Sequence, residues 1–197
     1  MDGKEVLELL LDGNRRFMSG QLSVKSATDL KKRRTELAIG QKPMATIVTC
    51  SDSRVVPEYI FDIGLGDIFT VISAGNVLDS VGVGSVEYAV GHLHTPLLIV
   101  LGHEFCGAVV AAYDDVNESH ITDIVKLIAP SVNKIRGIKN GDRKSELEAV
   151  CNENVREMIE KLKTSPIIKE ALGQHRHLKI VGMKYHLSDG KAEILFE

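Results

Sequence analysis

The chain of 197 residues has the size of one folded domain, and its 44% apolar and 26% charged residues are typical of a globular protein. A net charge of −3 provides no basic surface for nucleic acid. The first residues lack the pattern of a signal peptide and no apolar run could cross a bilayer, so we expect no membrane partner. The three cysteines are too few for a disulfide framework and predict a reducing, cytoplasmic location.

Helical and extended patterns alternate along the chain. Helices are predicted at 4–18, 28–38, 56–63, 79–93, from 106 onward, within 119–163 with a break near 137–142, and at 165–172. Strands are predicted at 44–50, 67–74, 96–103, 178–187 and 192–196. The alternation predicts an α/β fold: one domain over 1–197, with a mostly parallel central sheet flanked by helices and an N-terminal helical arm over 1–40.

Two polar segments follow apolar strands directly. One begins at Cys50 and the other carries His103 and Cys106. Ligands of parallel sheets bind beyond the carboxyl ends of the strands, so the two segments meet there if their strands are neighbours. Two sulfurs and one imidazole suit zinc, and three ligands leave the fourth position of a catalytic site open. From spacing alone, buried cysteines that act as small hydrophobic residues remain an alternative.

Asp52 and Arg54 lie on the same loop as Cys50. A carboxylate beside a metal accepts a hydrogen bond from reactive water, and an arginine can hold that carboxylate through a bidentate pair. A surface salt bridge of little energetic value is the alternative.

These segments are identified with a known family by residues 50–77, CSDSRVVPEYIFDIGLGDIFTVISAGNV, and 85–109, SVEYAVGHLHTPLLIVLGHEFCGAV. Both resemble the β-class carbonic anhydrases. Weaker matches at LLDGNRRFMSG, ENVR and LKIVGMKYHLSDGKAEIL extend the resemblance over nearly the whole chain.

The resemblance implies roles for individual residues. It implies that Zn²⁺ is bound by Cys50, His103 and Cys106, and that Asp52 and Arg54 form the catalytic dyad. It also places four groups around CO2 or bicarbonate, namely Gln41, Phe69, Tyr88 and the backbone amide of Gly107.

The resemblance further implies a homodimer or homotetramer, since in the family part of the pocket comes from the neighbouring subunit. The N-terminal helix of family members packs on that partner. The apolar residues at 6, 7 and 9–11 fit this arrangement, and they equally fit packing on the chain's own core.

The chain departs from the family at two places. A basic residue is common where Ile72 stands, and small residues are common where Glu104 and Phe105 stand. Glu104 would add negative charge near the metal. Cys151 matches no motif and receives no role.

The predicted activity is the zinc-dependent hydration of carbon dioxide. Two thiolates donate more charge to zinc than two imidazoles, so water is acidified less and we expect an alkaline activity profile. Hydrolysis of carbonyl sulfide or carbon disulfide on the same scaffold is the nearest alternative, and a non-catalytic zinc-binding regulatory protein is another. A nucleotide site at Gly82 and Gly84 is disfavoured, because Glu87 stands where its third glycine belongs.

Overall fold

The fold was analysed in a computed structural model that describes residues 1–23, 27–136, 141–173 and 178–197. The strands are β1 Ala45–Cys50, β2 Ile68–Ser73, β3 Leu97–His103, β4 Lys179–Tyr185 and β5 Ala192–Phe196. The helices are α1 Gly3–Met18, α2 Ala27–Glu36, α3 Pro57–Ile60, α4 Ser80–Gly91, α5 Gly107–Tyr113, α6 Ile121–Arg136, α7 Arg143–Lys163 and α8 Pro166–Gly173. Short 3₁₀ turns occupy Leu37–Ile39 and Ala74–Asn76.

The five strands form one sheet in the order β2-β1-β3-β4-β5. All neighbouring pairs are parallel except β4 and β5, which are antiparallel. The predicted α/β class with a mostly parallel sheet is therefore confirmed. The predicted helical break near 137–142 falls partly on 137–140, which lie outside the described residues.

Strands β1 and β3 are buried at every position because helices cover both faces of the sheet. Successive side chains of a strand point to opposite faces. Val48 and Val100 accordingly join the core beneath α4 to α8, whereas Ile47 and Ile99 join the core beneath α1 and α3. No helix among the described residues combines the length and apolar character needed to cross a membrane.

Helix α1 packs on the chain's own sheet. Its N-terminus carries a capping box, in which Asp2 accepts from the Glu5 backbone and the Glu5 side chain accepts from Asp2 N–H. Val6, Leu7 and Leu10 are buried in the core beneath it. The apolar stripe of this helix is thus explained within one chain.

Asn14 attaches α1 to two distant segments. Its Nδ2 donates to the Ile60 and Gly190 carbonyls at 3.1 and 2.8 Å, and its Oδ1 accepts from Ala192 N–H at 2.9 Å. Asn14→Ala would leave these three groups without their partner. We expect urea denaturation to show a loss of about 2–4 kcal/mol in the free energy of unfolding, and a loss below about 0.5 kcal/mol would contradict this account.

Candidate metal centre

The strand register brings the two predicted ligand segments together. Strands β1 and β3 are neighbours, with Thr49 paired to Leu101. Cys50 lies one residue beyond that pair and His103 two residues beyond it, at the carboxyl edge of the sheet. Cys106 follows as the N-cap of α5. The two strands are therefore adjacent, as the predicted meeting of the two ligand segments requires.

The donor atoms of Cys50, His103 and Cys106 all lie within 4.8 Å of one another. The two Sγ atoms are 3.9 Å apart. Two thiolates bound to one tetrahedral zinc at about 2.3 Å would be separated by about 3.8 Å, so the spacing of the sulfurs suits zinc. All three residues are buried. They are the only such group of three or more found among the described residues.

His103 presents one ring nitrogen to this cluster. Its Nδ1 lies 2.8 Å from the Glu104 backbone carbonyl oxygen, which can only accept, so Nδ1 carries the proton. Nε2 is buried and has no hydrogen-bond partner among the described residues. A buried lone pair without a donor is costly unless it binds a cation, and a ligand histidine held through its other nitrogen is the usual arrangement around metals. The residues therefore fit zinc.

The two sulfurs lie within hydrogen-bonding distance of each other. A hydrogen bond from Cys106, together with the backbone N–H groups of Gly75 and Asp52, holds the pKa of Cys50 below its usual range. The same bond, burial and repulsion between the sulfurs raise the pKa of Cys106. Zinc binds deprotonated cysteine, so the hydrogen bonds donated to Cys50 Sγ favour the form of this residue that binds the metal.

Asp52 is held as an anion beside the cluster. Arg54 Nε and Nη2 donate to its two carboxylate oxygens at 2.9 and 2.7 Å, and the Arg54 backbone N–H donates at 3.0 Å. This bidentate pair holds the pKa of Asp52 well below its usual range. The Asp52 side chain is 16% exposed and that of Arg54 is 55% exposed, so the pair lies at the rim of the site.

The Glu104 carboxylate, from which the sequence predicts negative charge near the metal, is bound to backbone N–H groups of the chain itself. It accepts from the backbone N–H groups of Leu187 and Ser188 at 2.8 and 3.3 Å and lies 3.6 Å from His186 Nδ1. The side chain attaches the loop after His103 to the turn between β4 and β5. A charged residue beside a ligand can therefore serve the backbone, and only the structure shows which role it has.

The four predicted substrate-pocket groups are not gathered at the cluster within one chain. The ring centroids of Phe69 and Tyr88 lie 6.2 Å apart. Phe69 pairs with Thr46, four residues before Cys50, or about 13 Å along the strand.

The other two pocket groups lie far from each other along the direction of β1. Gln41 is exposed in the segment leading into β1, whereas Gly107 is the first residue of α5, directly after Cys106. Of the four groups, Gly107 alone is adjacent to a predicted ligand in sequence.

Cys151 has no predicted role, yet it contacts the backbone of the predicted ligand Cys106. It is 5% exposed, and the Cys106 backbone amide donates to its sulfur. Burial raises the pKa of Cys151 to about 11, so it remains a thiol. Cys106 and Cys151 both line a cavity of about 480 Å³ between α5 and α7. The signal available in the sequence was the ENVR match, which lies on the same helix.

The fold and the cluster define an α/β metalloprotein, and comparisons with known proteins identify its family. The profile of the family described as carbonic anhydrase matches residues 45–192, which include every predicted metal ligand. Carbonic anhydrase 2 of Mycobacterium tuberculosis is 43% identical over 191 residues, 93% of this chain and 88% of the relative. A carbonic anhydrase of Mycolicibacterium smegmatis is 41% identical over 192 residues, 94% of this chain and 89% of the relative.

Solved structures show the same fold. One of two tetrameric β-carbonic anhydrases from Sordaria macrospora matches with a TM-score of 0.77 and 24% identity over 97% of both chains. The Coccomyxa β-carbonic anhydrase in complex with acetazolamide matches with a TM-score of 0.78 and 22% identity, over 97% of this chain and 86% of that one. This chain therefore belongs to the carbonic anhydrase family, in its β class.

Proposed function

We propose that this protein catalyses the reversible hydration of carbon dioxide to bicarbonate and a proton, with zinc as its cofactor. The observation that carries this proposal is the convergence of Cys50, His103 and Cys106, whose donor atoms lie within 4.8 Å of one another. Three protein ligands are the number found at catalytic zinc sites, which keep one position for water or substrate. Family membership supports the same reaction.

When bound, zinc supplies Lewis acidity, which makes water nucleophilic at moderate pH. The chain's own groups then orient the reaction. Asp52 is ionised and can only accept, so it takes a hydrogen bond from the attacking water and directs a lone pair toward the carbon of CO2. Arg54 occupies both carboxylate oxygens from the outer side, which keeps Asp52 ionised and in place.

The remaining pocket groups act on the substrate in this proposal. Phe69 and Tyr88 provide an apolar wall for CO2, Gln41 donates a hydrogen bond to the developing bicarbonate, and the Gly107 amide lies beside it. Because Phe69 lies about 13 Å along the sheet from the level of Cys50, the wall of each site comes from a second copy of the chain. We therefore propose that the active form is a homodimer or a larger even-numbered assembly.

The exposed surface around β2 supports this assembly. β2 is an edge strand, and Ile72 on it is 58% exposed although apolar. Val81 and Tyr88 of α4 are also apolar or aromatic and exposed, at 73% and 48%. Grouped exposed apolar side chains favour a protein partner. The tetrameric state of the Sordaria macrospora protein is consistent with a partner of the same kind.

Ile72→Glu would place a charge on this surface, and we expect light scattering to show a shift toward monomer. CO2 hydration should fall in parallel, because the partner's wall is lost. Leu172→Asp is the matched control, since Leu172 on α8 is an apolar residue 45% exposed elsewhere on the molecule. A monomeric Ile72→Glu protein with full activity would contradict a pocket shared between two copies.

Stopped-flow CO2 hydration, measured beside zinc content, tests the proposed reaction. We expect activity to scale with bound zinc and to rise toward alkaline pH. Turnover of carbonyl sulfide or carbon disulfide without CO2 hydration would favour the alternative hydrolase. Zinc binding with no turnover would favour a regulatory protein, although Asp52 and Arg54 are both present and paired.

We also propose a cytoplasmic location. All three cysteines are free thiols in the structure, and two of them belong to the metal cluster. Thiols of this kind persist where glutathione and thioredoxin keep them reduced. Expression of a tagged chain followed by fractionation tests the location.

A further inference from the structure

Asn154, in the middle of α7, is linked to the metal cluster through one intervening residue. Its side chain is 0% exposed, and its Nδ2 donates to the Gly75 carbonyl oxygen at 2.8 Å. The Gly75 backbone N–H in turn donates to Cys50 Sγ at 3.2 Å. The Asn154 side chain therefore binds the residue whose backbone N–H donates to a ligand sulfur.

The loop that contains Gly75 needs such external support. Gly75 and Asn76 have φ angles of 73° and 47°, so two successive residues adopt the left-handed region. The space beside Gly75 is closed as well, since a Cβ atom there would lie 2.8 Å from Ile128 Cδ1 and 3.0 Å from Ala108 Cβ. The hydrogen bond from Asn154 fixes the Gly75 carbonyl, and packing against α5 and α6 fixes its other side.

The same turn of α7 also contacts the second ligand strand. Gly102, the residue before His103, lies so close to Val155 that a Cβ atom on it would be 2.6 Å from Val155 Cγ2. Asn154 and Val155 are adjacent on α7. Through them the helix contacts both the loop at Gly75, which binds Cys50, and the strand that ends at His103. This arrangement ties the relative position of two ligands to one helix.

We propose that Asn154 is a positioning residue of the metal centre, which holds Gly75 so that its N–H group stabilises the Cys50 thiolate. This inference rests on the proposed zinc function. An N–H···S bond withdraws electron density from the thiolate, so it limits the charge that Cys50 donates to the metal. Loss of the Asn154 amide should release the loop, weaken this bond and leave Cys50 a more strongly donating and less firmly placed ligand.

Asn154→Asp tests the proposal, because aspartate has the shape of asparagine and its carboxylate has no N–H donor. The variant is loaded with Co²⁺, and we expect its thiolate-to-cobalt charge-transfer band to move to longer wavelength than in the wild type. Competition with a chelator should show zinc affinity reduced about 10–100-fold, the range for groups that orient metal ligands. Both readouts are independent of CO2 turnover.

Asn14→Asp is the matched control. Asn14 is also a buried asparagine whose Nδ2 donates to backbone carbonyls, but it lies on the opposite face of the sheet. We expect it to lower the urea midpoint without changing the cobalt spectrum or zinc affinity. A merely structural role for Asn154 predicts that the two variants behave alike, and that result would overturn the proposal.

A measurement on the wild type keeps the proposal testable if Asn154→Asp fails to fold. In protein loaded with ¹¹³Cd, the Gly75 amide proton should exchange slowly and show scalar coupling to the metal through Cys50 Sγ. Absence of that coupling would overturn the proposed link. Failure of the wild type to bind Co²⁺, Cd²⁺ or zinc would instead refute the proposed zinc function, so the two failures are distinguishable.

Discussion

Cys106→Ser is expected to abolish stoichiometric zinc binding. A serine hydroxyl stays protonated near neutral pH and is a poor ligand for zinc compared with a thiolate. Cys50 and His103 would remain, and two ligands do not make a closed or catalytic site. Metal analysis of the purified variant should find less than about a tenth of the wild-type zinc content, and CO2 hydration should fall by at least about 1,000-fold.

Cys151→Ser is the control for Cys106→Ser, because it removes a buried thiol that is not a predicted zinc ligand. Cys151 is as buried as Cys50, lines the same cavity as Cys106 and is held protonated by its surroundings. We expect this variant to keep its zinc, with an effect on stability only. If Cys106→Ser retained a full complement of zinc, the assignment of the three ligands would be wrong.

Asp52→Asn should keep the metal and lose the reaction. The amide has one acceptor oxygen in place of two, and its NH2 group would face the Arg54 guanidinium, which is itself only a donor. The orienting hydrogen bond from Asp52 to the attacking water would then be lost or misdirected. We expect the rate of CO2 hydration to fall by about 100-fold or more at unchanged zinc content.

Asp62→Asn is the control for this change. Asp62 also accepts from an arginine, with Arg16 Nε 2.5 Å from its Oδ2, and from both the backbone and the side chain of Ser23. Its replacement should reduce stability and leave the rate per bound zinc unchanged. A nearly wild-type rate in Asp52→Asn would remove Asp52 from the mechanism, whatever the control shows.

The pattern of apolar residues was sufficient to predict the secondary structure. Most of the predicted helices and strands begin and end within about two residues of the observed ones, because periodicity and breakers act locally. The predicted strand at 96–103, apolar over most of its length, also indicated a sheet covered on both faces, and its residues do lie in both cores. The observed helix α3 is shorter than the predicted one, since Phe61 already leaves the helical conformation.

The surroundings of the metal cluster depended on contacts between residues that are far apart in the sequence. The direction of the Glu104 carboxylate was set by the turn at 187–188, more than 80 residues away in sequence. Likewise, the ENVR match beside Cys151 did not by itself show that this residue shares a cavity with Cys106.

The amino-acid sequence by itself determined the α/β class, the strand-end position of the ligands and, through its motifs, the family. Only the tertiary structure decided the order of the strands and which groups each charged side chain contacts. It alone also placed Asn154 against Gly75, which lies 79 residues away in the sequence. The physical reason is that periodicity and motif spacing report on neighbours along the chain. Hydrogen bonds to a buried loop exist only after separate helices have packed around it.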